Sequence, residues 1–205
     1  LGVAGRHDAA DTSGTVRDIP IVFSSVTDPV ASGVVPSLEA PARNVTGVRH
    51  LAPLETQINT IQSYRPFERL GCVYIAQENN MVATVNKLAP LLEARGLEFI
   101  PRPVPLGEDE KPDPAAIPDL VADVARAGGE FLYIGPDSVI ASRNNTAVAE
   151  AALANGLPTF CATERPFQRA NVLMGLGGRA YNVGGFAGLK ASRILLGDAA
   201  VAETP

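Results

Sequence analysis

From about residue 51 onward the apolar positions fall into a rhythm. Leu54, Ile58 and Ile61 recur at intervals of four and three, which predicts a helix over 54–63 ended by Tyr64-Arg65-Pro66. Leu70 to Ile75 is a continuous apolar run, the pattern of a buried strand. Val82, Val85, Leu88, Leu91 and Leu92 mark one face of a helix over 81–94, and Gly96 supplies the left-handed stop common at helix ends. The same reading gives a strand over 97–101 and an acidic, proline-bearing surface loop over 106–114. A helix over 115–127 follows, closed by Gly128-Gly129. Beyond it come a strand over 131–134, a helix over 139–155 ended by Gly156, and strands over 158–161 and 172–176. A final long helix over 181–196 is closed by Gly197.

Strands alternating with helices through short connections imply parallel strands and right-handed crossovers, with helices covering both faces of the sheet. Residues 51 to about 176 therefore form a complete doubly wound α/β domain. The first 50 residues follow another pattern: a good strand at Ile21-Val22-Phe23, a weaker one over 44–48, and little helix. Half a sheet cannot bury both faces alone, so this piece requires a partner, either the last helix or chain beyond this sequence.

Composition narrows the class. The chain has 205 residues, 46% hydrophobic and 19% charged, enough for one large domain or two modest ones. Tryptophan is absent, so alanine, valine and leucine must supply most of the core. The net charge of −5 is scattered, with no basic stripe, which disfavours nucleic-acid binding. No apolar stretch approaches the roughly 20 residues a membrane span needs. The first residue is Leu1 and no signal peptide is visible, so the expectation is a chain numbered after processing or lacking part of its N-terminus. Cys72 and Cys161 both lie in apolar runs on strands that a doubly wound order keeps apart. They read as buried thiols without a disulfide, and no metal-ligand spacing or cofactor motif accompanies them.

Chemistry is expected beyond the carboxyl ends of the strands, where loops gather at one edge. After the 70–75 strand come Gln77, Glu78, Asn79 and Asn80. After the 131–134 strand come Gly135, Pro136, Asp137 and Ser138, and after the 158–161 strand come Thr163 and Glu164. Asn79, Asn80, Asp137 and Ser138 also stand where helix N-caps belong, so capping competes with ligand binding for each. The strand at 21–23 breaks into a hydroxyl-dense turn with Ser24, Ser25, Thr27 and Asp28. Asp137, Glu164 and the Asn79–Asn80 pair, set against that turn, make a dipolar cleft suited to a zwitterion. Its ammonium would meet the carboxylates and its carboxylate the hydroxyls and backbone amides.

Catalysis is disfavoured. His7 and His50 are the only histidines, His7 in a poorly patterned start and His50 near a crossover segment. There is no G-x-S-x-G elbow, no P-loop, and no G-x-G-x-x-G in its required context. The N-x-T triplets at Asn44 and Asn144 are better explained by turn chemistry than by glycosylation. Tyr74 and Tyr133 fall within strands and read as core, whereas Tyr181, opening the last helix at the expected lobe junction, is the candidate to line a pocket.

The segments I-P-I-V-F-S-S-V-T-D-P-V-A-S-G-V-V-P-S-L, N-V-T-G-V, Q-E-N-N, G-P-D-S, G-L-P-T-F and Y-N-V-G-G-F-A-G-L-K-A-S-R-I-L-L-G-D stand in order from Ile19 onward. With them the chain resembles bacterial ABC-transporter substrate-binding proteins of type I periplasmic-binding fold, whose studied members bind aromatic amino acids. The first segment is the specific one; the others are typical of any type I binding fold. The resemblance implies two doubly wound lobes joined by a hinge. Residues 1–50 would be the back half of the first lobe, incomplete here, and 51–177 the second lobe. Residues 178–199 would be a helix returning to the first lobe, and 200–205 a crossover toward the second. It implies ligand contacts at Ser24, Ser25, Thr27 and Asp28 in one lobe and at Asn80, Asp137 and Glu164 in the other. It also implies a periplasmic or membrane-anchored extracytoplasmic location, with the transmembrane subunits of an ABC permease as partners. Met81, Arg179 and Asn171 depart from the family pattern at positions where a small hydroxyl residue, an acidic residue and glycine are usual. The rival readings are a ligand-sensing effector domain of a regulator or receptor with the same fold, and an α/β enzyme.

Overall fold

The computed structural model describes residues 19–39, 44–201 and 204; His7 and part of the expected 200–205 crossover lie outside them. The chain divides into two compact units, one running from Leu51 to Gly177, the other comprising the residues up to His50 and those from Gly178 on.

The Leu51–Gly177 unit carries a five-stranded parallel sheet. Its strands are β3 (Arg69–Tyr74), β4 (Glu98–Pro103), β5 (Phe131–Ile134), β6 (Thr159–Cys161) and β7 (Met174–Gly175), in the order β4-β3-β5-β6-β7. The helices are α1 (Leu54–Tyr64), α2 (Asn79–Glu93), α3 (Ile117–Arg126), α4 (Asn145–Ala154) and the short α5 (Arg165–Arg169). Although the strands read as unbroken apolar runs, their side chains sort by the two-residue period of a pleated strand. Leu70, Cys72, Phe131, Tyr133 and Phe160 join Ile58 and Ile61 of α1 and Met81 and Leu88 of α2 in one core. Val73, Leu132, Ile134 and Cys161 join Val121 and Val124 of α3 and Val148 and Ala152 of α4 in the other. The two buried cysteines stand on β3 and β6, with β5 between them.

Two contacts fix this packing. Gly71 on β3 lets α3 approach so closely that an added Cβ would run into Val124. The Tyr133 hydroxyl, fully buried, donates to Gln57 Oε1 at 2.9 Å, and Gln57 Nε2 donates to the Ala52 carbonyl at 2.7 Å. Gly96, Gly128, Gly156 and Gly197 all have positive φ, as expected of helix stops.

The element boundaries correct the sequence reading in three places. The helix expected over 139–155 is two pieces, a π-wound turn over Ser138–Arg143 and then α4. The strand expected over 172–176 shrinks to Met174–Gly175, because the Leu173 N–H donates to the Thr159 side-chain hydroxyl at 2.9 Å instead of to a backbone carbonyl of β6. Helix α5, with Pro166 in its first turn, was not anticipated.

In the other unit β1 (Ile21–Ser24) pairs in parallel with β2 (Val45–Val48), Ile21 opposite Val45. Helix α6 (Ala180–Leu195) packs on both strands, and Lys190 Nζ donates to the Gly47 carbonyl at 3.0 Å. The buried Thr46 hydroxyl donates to the Thr204 carbonyl. Asn44 Nδ2 donates to the Ile19 carbonyl at 2.6 Å, and in the other unit Asn144 Nδ2 donates to the Val139 carbonyl at 2.9 Å. Both asparagines thus donate to backbone carbonyls, Asn144 locally and Asn44 across 25 positions.

Candidate functional site

In the Leu51–Gly177 unit the loops after β3, β5 and β6 lie side by side, because those strands are neighbours. The first two are locked together by side chains. Asp137 is 3% exposed, and its carboxylate accepts three backbone N–H groups: Val139 at 2.7 Å and Ile140 at 2.8 Å on Oδ1, and Ile75, at the end of β3, at 3.0 Å on Oδ2. Glu78, 5% exposed, accepts from the Ser138 N–H at 3.0 Å on Oε2 and from the Ser138 hydroxyl on Oε1. Asn80 Nδ2 donates to the Pro136 carbonyl at 2.6 Å.

Burial raises the Asp137 carboxyl above the ordinary aspartate range; the Ile140 N–H opposes this and the nearby Glu78 charge adds to it. Asp137 is therefore the N-cap of the π-wound turn, and Ser138 is the turn's first residue, not its cap. Asn79 and Asn80 likewise begin α2 instead of capping it; the N-cap is Glu78, whose side chain makes no cap bond there.

These bonds settle what the edge offers a ligand. Helix N-termini commonly bind anions through open amides. Here the N–H groups of Ser138, Val139 and Ile140 all point to carboxylates of the protein itself. The first turn after β5 is thus committed, and its net contribution to the edge is negative charge. Around it, Gln77 and Asn79 are exposed, and Thr163 and Glu164 are half-buried. Glu164 Oε1 accepts from Gln168 Nε2 at 3.0 Å across one turn of α5. Met81 is fully buried below the loop, and a Cβ on Gly135 would press on its sulfur at 2.5 Å. Met81 therefore serves packing. Cys161 at the end of β6 has its thiol pushed up to about 12 by burial, so it stays protonated at neutral pH.

The other unit presents donors. Ser24 and Ser25 are exposed at the end of β1, and Thr27 and Asp28 are half-buried. The Ser25 N–H extends the β1–β2 ladder to the Val48 carbonyl at 2.9 Å, while its φ of +62° lies in the left-handed region. Asp28 organises the following turn. Its Oδ1 accepts from the Ala31 N–H at 3.0 Å, and its carbonyl accepts from the Ser32 N–H at 3.0 Å and hydroxyl at 2.6 Å. Gly33, φ +69°, completes it. Tyr181, in the first turn of α6, is 90% exposed. Arg179 is the N-cap of that helix, and Asn171 is exposed before β7.

Sequence reasoning passed over two members of these edges. Glu78 was noted only as one polar residue among four, because its partner Ser138 is 60 positions away. His50 stands out in the sequence only as one of two histidines, near a crossover segment; in the structure its Nδ1 is buried without a hydrogen-bond partner.

Among the described residues no group of three or more histidine, cysteine, aspartate or glutamate side chains could hold a metal ion, and no helix is long and apolar enough to cross a membrane.

Comparison with known proteins places this architecture. A Clostridioides difficile protein described as a tyrosine-binding protein is 27% identical over 149 residues, 72% of this chain and 41% of that protein. A conserved domain protein from Vibrio cholerae is 27% identical with a TM-score of 0.72, covering 92% of this chain and 61% of its own. At 22% identity and a TM-score of 0.70, an ABC domain from Streptococcus pneumonia solved with L-Trp shares the fold over 96% of this chain and 65% of its own. The chain thus spans about two fifths of the curated relative and under two thirds of these solved structures, and its fold is the lobed one of substrate-binding proteins. The family model described as ABC transporter substrate binding protein matches residues 2–205, and the chain belongs to that family.

Proposed function

We propose that this chain is part of an extracytoplasmic solute-binding protein of an ABC importer, taking a small amino-acid-like ligand, aromatic in side chain, by hinge closure. The observation that carries the reading is the family match across residues 2–205, and it favours transport over the effector-domain rival. A tyrosine-binding relative and an L-Trp-bound structural neighbour support an amino acid as ligand. The edge chemistry supports its polarity. The ligand carboxylate would be taken by the hydroxyls of Ser24, Ser25 and Thr27, in a turn shaped by Asp28. Its ammonium would face the edge made negative by Glu164 and Asp137, with Asn79 as a polar neighbour. Asp137 and Asn80, buried or half-buried and engaged with backbone, contribute by holding the loops in place. Tyr181, exposed at the start of α6, is proposed to stack on an aromatic side chain.

A ligand shifts an open–closed equilibrium only through contacts that differ between the two states, so groups from both units are required. The partner of the closed form would be the transmembrane subunits of a permease. The protein would bind and release its solute unchanged, as a carrier without catalytic residues or a cofactor.

The test is thermal unfolding of the full-length protein against the L-amino acids, sugars and organic acids. A true ligand at 100 times its Kd adds about 2.7 kcal/mol of stability. Stabilisation by tyrosine, tryptophan or phenylalanine is expected. Stabilisation by a sugar or organic acid, with none by any amino acid, overturns the reading.

A further inference from the structure

Ser25 holds its left-handed backbone without being glycine, asparagine or aspartate. Such a conformation persists only where the surroundings enforce it, and it collects at ligand-binding sites. On one side the ladder bond to Val48 anchors the Ser25 N–H. On the other stands His50, two residues past Val48, whose ring lies against the Ser25 main chain.

His50 has little freedom to leave. Its carbonyl accepts from the Gly178 N–H at 2.6 Å. Gly178 fits so tightly that an added Cβ would meet Val183 at 2.9 Å, the His50 carbonyl oxygen at 3.2 Å and its Cα at 3.4 Å. His50 Nδ1 is the one buried side-chain nitrogen or oxygen among the described residues without a partner. A neutral imidazole carries one N–H and one bare nitrogen. With Nδ1 sealed and unpartnered, the tautomer that carries its N–H on Nε2 is the one that strands no donor. Burial lowers the proton affinity of the ring below the ordinary histidine value, and the Ser25 backbone partly restores it.

We propose that His50 is a positioning residue for the ligand site: its ring, Nδ1 sealed and Nε2 turned to the Ser25 main chain, holds the backbone twist that presents the Ser24–Thr27 hydroxyls. The inference rests on the amino-acid-binding reading above. Protonation would put a second N–H at Nδ1, where no acceptor waits. Nearest in sequence to His50, Gly178 and Ser25 the charged residues are Arg49, Arg179 and Asp28, and α6 carries Lys190; none of them bonds Nδ1. The charged ring would leave its seat, Ser25 would relax, and the hydroxyls would lose their arrangement. Because the shift is downward, the change falls below the ordinary histidine value of 6.5.

The test uses the full-length protein with two independent readouts. Without ligand, the Ser25 amide resonance is followed by NMR from pH 7.5 to 5 beside the His50 imidazole, and is expected to move with the same midpoint. With L-tyrosine and L-tryptophan as probes, Kd is measured over the same range for wild type, His50→Gln and His50→Ala. Wild-type affinity is expected to fall about tenfold on acidification, the loss of roughly one good hydrogen bond. His50→Gln keeps an N–H where Nε2 stood and cannot titrate, so it should retain affinity and lose the pH dependence; His50→Ala should bind about tenfold more weakly at pH 7.5. A Ser25 resonance indifferent to the His50 titration, or a His50→Gln variant with the wild-type pH profile, overturns the inference. If Ser25 follows His50 while neither amino acid binds at any pH, the positioning link stands and the ligand reading falls.

Discussion

Glu78 and Ser138, 60 residues apart in sequence, are joined twice: the Ser138 N–H and the Ser138 hydroxyl both donate to the Glu78 carboxylate. This pair ties the loop after β3 to the loop after β5. Glu78→Ala would leave both donors without their acceptor. Hydrogen bonds to charged groups contribute about 1.5–3 kcal/mol each, so a loss of about 3–6 kcal/mol in urea unfolding is expected. Glu78→Gln, which keeps one acceptor oxygen, should recover part of it. A Glu78→Ala variant as stable as wild type would show that the latch carries no weight.

Asp137 gives the protein a pH dependence of definite sign. Its carboxyl is held above the ordinary 3.8, chiefly by burial. Between that value and the raised one the folded state binds more protons than the unfolded state. Stability from this group is therefore fully present below 3.8 and is lost as pH rises through the folded-state value. Urea unfolding of wild type and Asp137→Asn at pH 4 and pH 7 checks it. The difference, wild type minus variant, should be larger at pH 4; a difference that grows toward neutrality contradicts the assignment.

At Gly71 helix α3 closes on β3. Gly71→Ala adds a methyl that collides with Val124, so helix or strand must shift. Overpacking of this kind costs about 1–3 kcal/mol, seen as a lowered midpoint in thermal unfolding. The double variant Gly71→Ala with Val124→Ala should regain part of the loss.

Tyr133→Phe removes the donor to Gln57 Oε1 inside the core. The stranded amide oxygen should cost about 1–3 kcal/mol, although no apolar surface is lost. Burial also raises the Tyr133 phenol far above the ordinary tyrosine range, so it should resist ionisation in an ultraviolet alkaline titration until well past that range.

What the sequence disclosed and what it withheld divide along the range of the interactions involved. The strands through Cys72, Tyr133 and Phe160 were legible because unbroken apolar runs of that length suit a sheet covered on both faces. The helix ends were legible because Gly96, Gly128 and Gly156 mark them locally. The broken helix after β5 was not, since its first turn is shaped by Asp137 reaching back to Ile75 and by Glu78 reaching across from another loop. The shortened β7 was hidden for a similar reason: the competing acceptor is the hydroxyl of Thr159, 14 residues away. At the site, the hydroxyl turn and the carboxyl-edge loops could be placed from the pattern. That Asp137 and Asn80 would be spent on backbone, and that His50 would lie sealed beside Ser25, depended on folded geometry with no counterpart in spacing.

The π-wound turn over Ser138–Arg143, closed by the Asn144 N–H on the Val139 carbonyl at 2.9 Å, has a consequence for insertions and deletions. A π turn accommodates one residue more than the α turn it replaces. This segment therefore holds a spare residue whose removal shortens nothing else. A one-residue deletion between Val139 and Arg143 is expected to be absorbed by rewinding, leaving β5 and α4 in register, where the same cut inside α4 would rotate everything after it by about 100°.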